Sequence, residues 1–254
     1  MRNYIAFTKK ELLESVRTYK LFIMLIVFFV FGIMSPLLAK VMPEILTAAM
    51  PERITVALAE PAAIDAWEQF FKNISQVCLI VTIIIFSGTL SSELSKGTLV
   101  NLLTKGLSRK TVILSKFTSM FIIWTISYAL AFITAWGYTM YLFSGAEIAN
   151  LLFSIFCQWL FVIFLLSVLL FAATLMKSNY GCLLITFSVI GALGLLYHSA
   201  ALRRYTPMFL AVNNMPLLEG TVEVSSLSYA VAISIICSLI LIIASVLVFR
   251  KRQL

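Results

Sequence analysis

The stretch SSELSKGTLVNLLTKGLSRKTVILSK, residues 91–116, is the longest polar interruption with a charge bias in an otherwise greasy chain. It carries five cations, Lys96, Lys105, Arg109, Lys110 and Lys116, against the single anion Glu93. A loop that merely joins two apolar runs needs no order of its own, but this one has a pattern. Gly97 opens a turn, and residues 98–104 give two helical turns, about 10 Å at 1.5 Å per residue. Gly106 suits the position just past a helix end. Leu99, Leu102 and Leu103 share a face, and Ser108 is placed to cap a second helix running through Lys110 and Lys116. A helix with an apolar face outside a core must bury that face against lipid, its own chain or a partner.

Composition sets the surroundings. Of 254 residues, 61% are hydrophobic and 12% charged, whereas soluble domains are about 25% charged. Mean hydropathy is +1.03. This is an integral membrane protein with no room for a large soluble domain. The net charge of +8 sits beside apolar runs, so it reads as a topology signal and not as a nucleic-acid surface. Cys78, Cys157, Cys182 and Cys237 lie within apolar segments without metal or disulfide spacing, and His198 stands alone near the end of one. No metal site is expected. Residues 1–20 hold Glu11 and Glu14 among cations, and the following run is too long for a signal-peptide core.

A membrane-crossing helix needs about 20 apolar residues. Six runs qualify: 21–39, 74–91, 117–143, 148–176, 180–200 and 228–249. With both termini on the cytoplasmic side, fourteen cations fall inside and five outside, the direction that positive-inside bias requires. Residues 1–20 predict an amphipathic helix, with Ile5, Leu12, Val16 and Tyr19 on one face and a Lys10–Glu14 pair on another. Residues 40–73 read as an outside segment broken by Pro43, Pro51 and Pro61, with Trp67, Phe70 and Phe71 as interface anchors. Residues 201–225 are too apolar for a plain loop and too short to cross, which predicts short re-entrant helices backed by protein. Arg203 and Arg204 precede them and belong at the outer surface or in a wet cavity, because a cation costs about 2.5–3.5 kcal/mol at mid-membrane.

The missing chemistry narrows the class. No phosphate-binding G-x-x-x-x-G-K-[ST] loop occurs, and no protease signature. No carboxylate lies within the six runs, although ion-coupled transporters commonly place one at membrane depth. Any uphill movement of a cargo therefore draws its energy from a partner.

The stretch 91–116 closely resembles the segment after the second span of type-2 ABC transporter permeases: a Glu (Glu93), a Lys-Gly-Thr turn (Lys96, Gly97, Thr98), a leucine-rich helix, Ser-Arg (Ser108, Arg109), then a Lys (Lys116) entering the next span. FTKKELLESVRTYK, residues 7–20, resembles that family's N-terminal elbow helix, with Lys10 and Glu11 as its Lys-Glu pair. The resemblance covers essentially the whole chain. It implies an all-α membrane protein: an elbow helix (1–20), then a six-span domain (21–254) with a cytoplasmic coupling helix at about 96–106 and the re-entrant segment before span six. It further implies an exporter permease in the plasma membrane. Its partners would be a separate ABC ATP-binding subunit, which would take ATP and Mg, and a second permease copy or relative. The coupling residues would be Glu93, Lys96, Gly97, Leu99, Leu102, Leu103 and Arg109.

Two other classes remain open on sequence: a self-immunity or assembly protein acting on a peptide without strict transport, and a secondary transporter. The cargo is expected to be apolar or amphipathic, such as a peptide, lipid or drug. Small residues in span five, Ser188, Gly191 and Ala192, suit close helix approach. They predict a permease–permease contact or, equally, tight packing within one chain.

Overall fold

The computed structural model describes residues 2–49, 61–95, 97, 99, 103–104, 106–143, 148–176 and 178–251. Most of these are helical, and no strand occurs among them. Helix α1 (Arg2–Arg17) leads into α2 (Lys20–Ala49). Then come α3 (Ala63–Asn73), a π-helical turn (Ile74–Cys78) and α4 (Leu79–Ser95). Long helices follow at α5 (Arg109–Leu142), α6 (Leu151–Leu175) and α7 (Asn179–His198). A 3₁₀ turn (Arg203–Tyr205), α8 (Met208–Val212), α9 (Asn214–Leu218) and a second 3₁₀ turn (Val224–Leu227) precede α10 (Ser228–Lys251).

Six segments are long and apolar enough to cross a bilayer: Lys20–Met42, Ala63–Leu94, Arg109–Leu142, Leu151–Leu175, Asn179–His198 and Val224–Lys251. Helix α6 is apolar on all sides, as a helix surrounded by others must be, and 78% of its span is buried. Spans α7 and α10 are only 11% and 17% buried. Ile236, Ile240, Ile243 and Leu247 form an exposed stripe on α10, too much apolar surface for water to cover. Within the spans, hydroxyls bond their own helix: Thr82 Oγ1 donates to Cys78 O at 2.7 Å, and Ser234 Oγ to Ala230 O at 2.7 Å. Without water, each polar group has to be satisfied inside the protein.

Helix α2 lies along α5, closest at Gly32. A Cβ there would come within 2.9 Å of Ala131 O and 3.1 Å of Thr134 Cβ. The expectation for 40–73 needs correction. Helix α2 continues through Pro43, and α3 joins α4 through the π turn as one span beginning at Ala63. Asp65 Oδ2 accepts from Ala62 N at 2.8 Å and opens α3. Trp67, Phe70 and Phe71 are 1–4% exposed, so they are core residues and not interface anchors. Their partners are rings on α5: Trp67 lies 5.8 Å from Phe132, and Phe70 6.2 Å from Tyr128, centroid to centroid.

The segment before α10 is held by buried amides that the sequence reading missed. Asn214 Nδ2 donates to Gln158 Oε1 at 2.9 Å, and Gln158 Nε2 to Ser75 Oγ at 3.1 Å. A chain of side-chain bonds thus runs from α9 through α6 to the π turn. A lone Gln inside a run as apolar as α6 was the available signal.

Candidate functional site

The site begins with the turn at the termini-bearing end of the bundle. Gly97 (φ 68°) and Gly106 (φ 90°) are both left-handed, a region that favours glycine, and Gly106 N donates to Leu103 O at 3.0 Å. Leu99 and Leu103 are helical between them. Lys96 and Leu102 lie outside the described residues. Ser108 caps α5 as its position suggests, accepting from Thr111 N at 3.2 Å, so α5 begins at Arg109, ahead of the apolar run that opens at 117.

Leu99 is 0% exposed and packs in the chain's own core. Its side chain is covered by its own chain and offers no exposed surface. Leu103 is half-buried against the same core. Arg109 is likewise engaged at home. Its Nη1 donates to Phe249 O at 2.8 Å and Arg250 O at 3.1 Å, and its guanidinium lies 5.8 Å from the Phe249 ring centroid. A cation on the last carbonyls of α10 is well placed electrostatically. This ties the start of α5 to the end of the last span.

Behind the turn lies an ion-pair cluster that the sequence reading resolved only in part. Lys116, one helical stretch into α5, is fully buried, with Nζ 2.7 Å from Glu93 Oε2, 3.0 Å from Glu11 Oε2 and 2.8 Å from Thr89 O. Lys10 Nζ reaches Glu14 Oε2 at 2.6 Å, Glu11 Oε1 at 3.0 Å and Glu93 Oε1 at 3.1 Å. The Lys10–Glu14 pair was expected from its i,i+4 spacing; Glu93 is met by Lys116 and Lys10. Spacing within one helix could not reveal partners 23 and 83 residues away.

The cluster joins three elements: α1 through Lys10, Glu11 and Glu14, the end of α4 through Glu93, and the start of α5 through Lys116. Glu93 precedes the 96–106 turn and Lys116 follows it, so both roots of the turn are locked to one another and to α1. Tyr4 reinforces this, its hydroxyl lying 2.6 Å from Thr118 Oγ1. Burial works to lower the Lys10 pKa. The hydrogen bond to Glu14 and the charges of Glu11 and Glu93 outweigh it, and the ammonium is held well above its ordinary range. Burial works to raise Glu14, but the bond to Lys10 and the nearby lysine charges prevail and lower it. Oxygens of Glu11, Glu14 and Glu93 converge within 4.8 Å of one another, and the ammonium groups of Lys10 and Lys116 lie among them as an ionic staple.

At the opposite end, Arg203 and Arg204 are exposed beside a cavity of about 660 Å³. On α7, Ser188, Gly191 and Ala192 face outward, and nothing lies within 4 Å of a Cβ built on Gly191. Tight packing within one chain is thereby excluded as their purpose.

The described residues thus comprise six membrane-length helical segments and a broken segment before the last. The family model for ABC-2 family transporter proteins matches residues 5–254. The chain belongs to the ABC-2 transporter family. No curated protein matches it significantly. An ABC-2 chain is a membrane component of an ABC transporter and is not itself catalytic, and the family normally pairs with an ABC ATP-binding subunit.

Proposed function

We propose that this chain is the permease subunit of an ATP-driven exporter, with both termini in the cytoplasm and the spans in the plasma membrane. A separate ATP-binding subunit, carrying ATP and Mg, engages the 96–106 turn, and a second permease copy completes the path. The cargo is apolar or amphipathic.

The observation that carries this reading is the staple bracketing the turn. Glu93 and Lys116 meet at 2.7 Å across its two ends, and Glu11 joins them from α1. A push on the turn then moves α1, α4 and α5 together and does not bend one loop. Arg109 extends the same body to α10. A motion of the ATPase shifts the permease only through contacts that differ between its two states, and a rigid, multiply rooted turn supplies such a lever.

With Leu99 and Leu103 packed against the chain's own core, Leu102 is the leucine we assign to the ATPase groove. Leu102→Glu should insert normally but fail to retain or stimulate the ATPase, because a carboxylate would be desolvated without a partner. The measurement is co-purification and transport-coupled ATP hydrolysis at matched membrane levels. Unchanged values for both would remove this turn as the coupling element.

A further inference from the structure

The arginine-bearing cavity lies at the end of the bundle remote from the ionic staple, between the ends of α7 and α10. Its volume of about 660 Å³ is in the range of small-molecule sites, about 300–1,000 Å³. Its lining combines the donors Arg203 and Arg204 with Glu223, Ser225, Ser226 and Thr221.

Among the described residues neither guanidinium lies within ion-pair distance of a carboxylate. Arg203 is oriented by aromatic faces, with its guanidinium carbon 4.8 Å from the Tyr197 ring centroid and 5.9 Å from that of Phe209. Stacking leaves its edge N–H groups available, and a guanidinium fork matches phosphate oxygens. The hydroxyl protons in this lining are spent. Ser225 Oγ donates to Glu223 Oε2 at 3.0 Å, Ser226 Oγ to Glu223 O at 2.7 Å, and Thr221 Oγ1 to Pro216 O at 3.0 Å. The lining thus offers hydroxyl lone pairs and a carboxylate, which suits an ammonium.

The surroundings are those of an amphiphile. Tyr205 and Tyr229 meet at 5.8 Å beside the cavity and are both exposed, as tyrosines at a membrane–water boundary commonly are. From there the bare apolar flank of α10, Ile236, Ile240 and Ile243, runs toward the other end. We infer that this cavity binds the head group of an amine-bearing phospholipid, with the phosphodiester on Arg203 and Arg204, the ammonium toward Glu223 and the acyl chains along α10. Site and ligand stand independently of the ATPase partnership.

The test is native mass spectrometry of the purified full chain titrated with phosphatidylethanolamine, phosphatidylcholine and phosphatidylglycerol of matched chains. The amine lipid should be retained roughly tenfold over the other two, the scale of a charge-assisted hydrogen bond. Choline's quaternary nitrogen has no N–H, and glycerol carries no cation. Arg204→Gln should abolish retention without a change in thermal stability, since Arg204 makes no ring contact to lose. Glu223→Gln should erase the advantage over phosphatidylglycerol while leaving binding. Soluble phosphoethanolamine that competes at millimolar concentration would assign recognition to the head group; failure to compete, with lipid selectivity intact, would assign it to head group and chains together. Both outcomes support the site. Equal retention of the three lipids, or retention unchanged in Arg204→Gln, overturns it.

Discussion

Lys116 Nζ sits 2.7 Å from Glu93 Oε2, in a side chain with no exposed surface, although 22 residues of polar loop and helix separate the two along the chain. A buried ion without its partner costs more than the pair contributes. Lys116→Met leaves Glu11 and Glu93 with only the part-exposed Lys10 between them and should destabilise the protein by about 3–5 kcal/mol. The triple variant Glu11→Gln, Lys116→Met, Glu93→Gln should recover much of that loss. Thermal unfolding of the purified protein in detergent checks both. A single variant as stable as wild type would remove the staple from the account.

The outer rim of the staple should titrate from both sides. Glu14 is lowered below its ordinary 4.5, so its contribution is present above that value and is lost as pH falls through the depressed pKa. Lys10 is raised above its ordinary 10.5, so its contribution is full below that value and is lost as pH rises through the raised pKa. Docking of α1 should therefore be flat across neutral pH and weaken below about pH 4. Both side chains are about two-fifths exposed, and screening keeps the effect small. Amide exchange in Arg2–Arg17, corrected for the intrinsic pH dependence, reads it. Loosening already between pH 6 and 8 would contradict the assignment.

Gly32 sets the distance between α2 and α5. With Ala131 O only 2.9 Å from where a Cβ would stand, backbone must move to admit any side chain. Gly32→Leu should cost about 1–3 kcal/mol as overpacking and lower the unfolding temperature. Gly191→Leu, where no atom lies within 4 Å, is the control and should leave the isolated chain's stability unchanged.

The same open face of α7 carries the proposed contact with a second permease. Cysteines at Ser188 and Ala192, in a background lacking Cys78, Cys157, Cys182 and Cys237, should cross-link between copies in native membranes. Monomer alone after oxidation, with labelling showing both thiols reactive, would leave this face to lipid.

Much of this architecture is legible in the sequence because lipid imposes a strict length and polarity rule on each span. The turn at 96–106 is legible because Gly97, Gly106 and Ser108 each answer a local backbone demand. The reading failed where the deciding partner is remote. Proline at 43 suggested a break, but α2 runs on to Ala49. Trp67, Phe70 and Phe71 have the composition of an interface belt, and only the rings of Phe132 and Tyr128 make them core. Glu93 meets Lys116 and Lys10, partners too far along the chain for local spacing to reveal. Gln158 and Asn214 were passed over because isolated amides in apolar sequence announce no partner.

The π turn at Ile74–Cys78 has a consequence for how this span varies. One surplus residue rotates everything on one side of it by about 100° relative to the other, which is how α3 aims its rings at α5 while α4 keeps Glu93 over Lys116. The two halves of the span therefore answer to different masters. Removing a single residue between Ile74 and Cys78 would swing the aromatic half by more than a quarter turn and leave the ionic half in place. At this point in the chain length, more than side-chain identity, is the variable that re-aims one end of the transporter without disturbing the other.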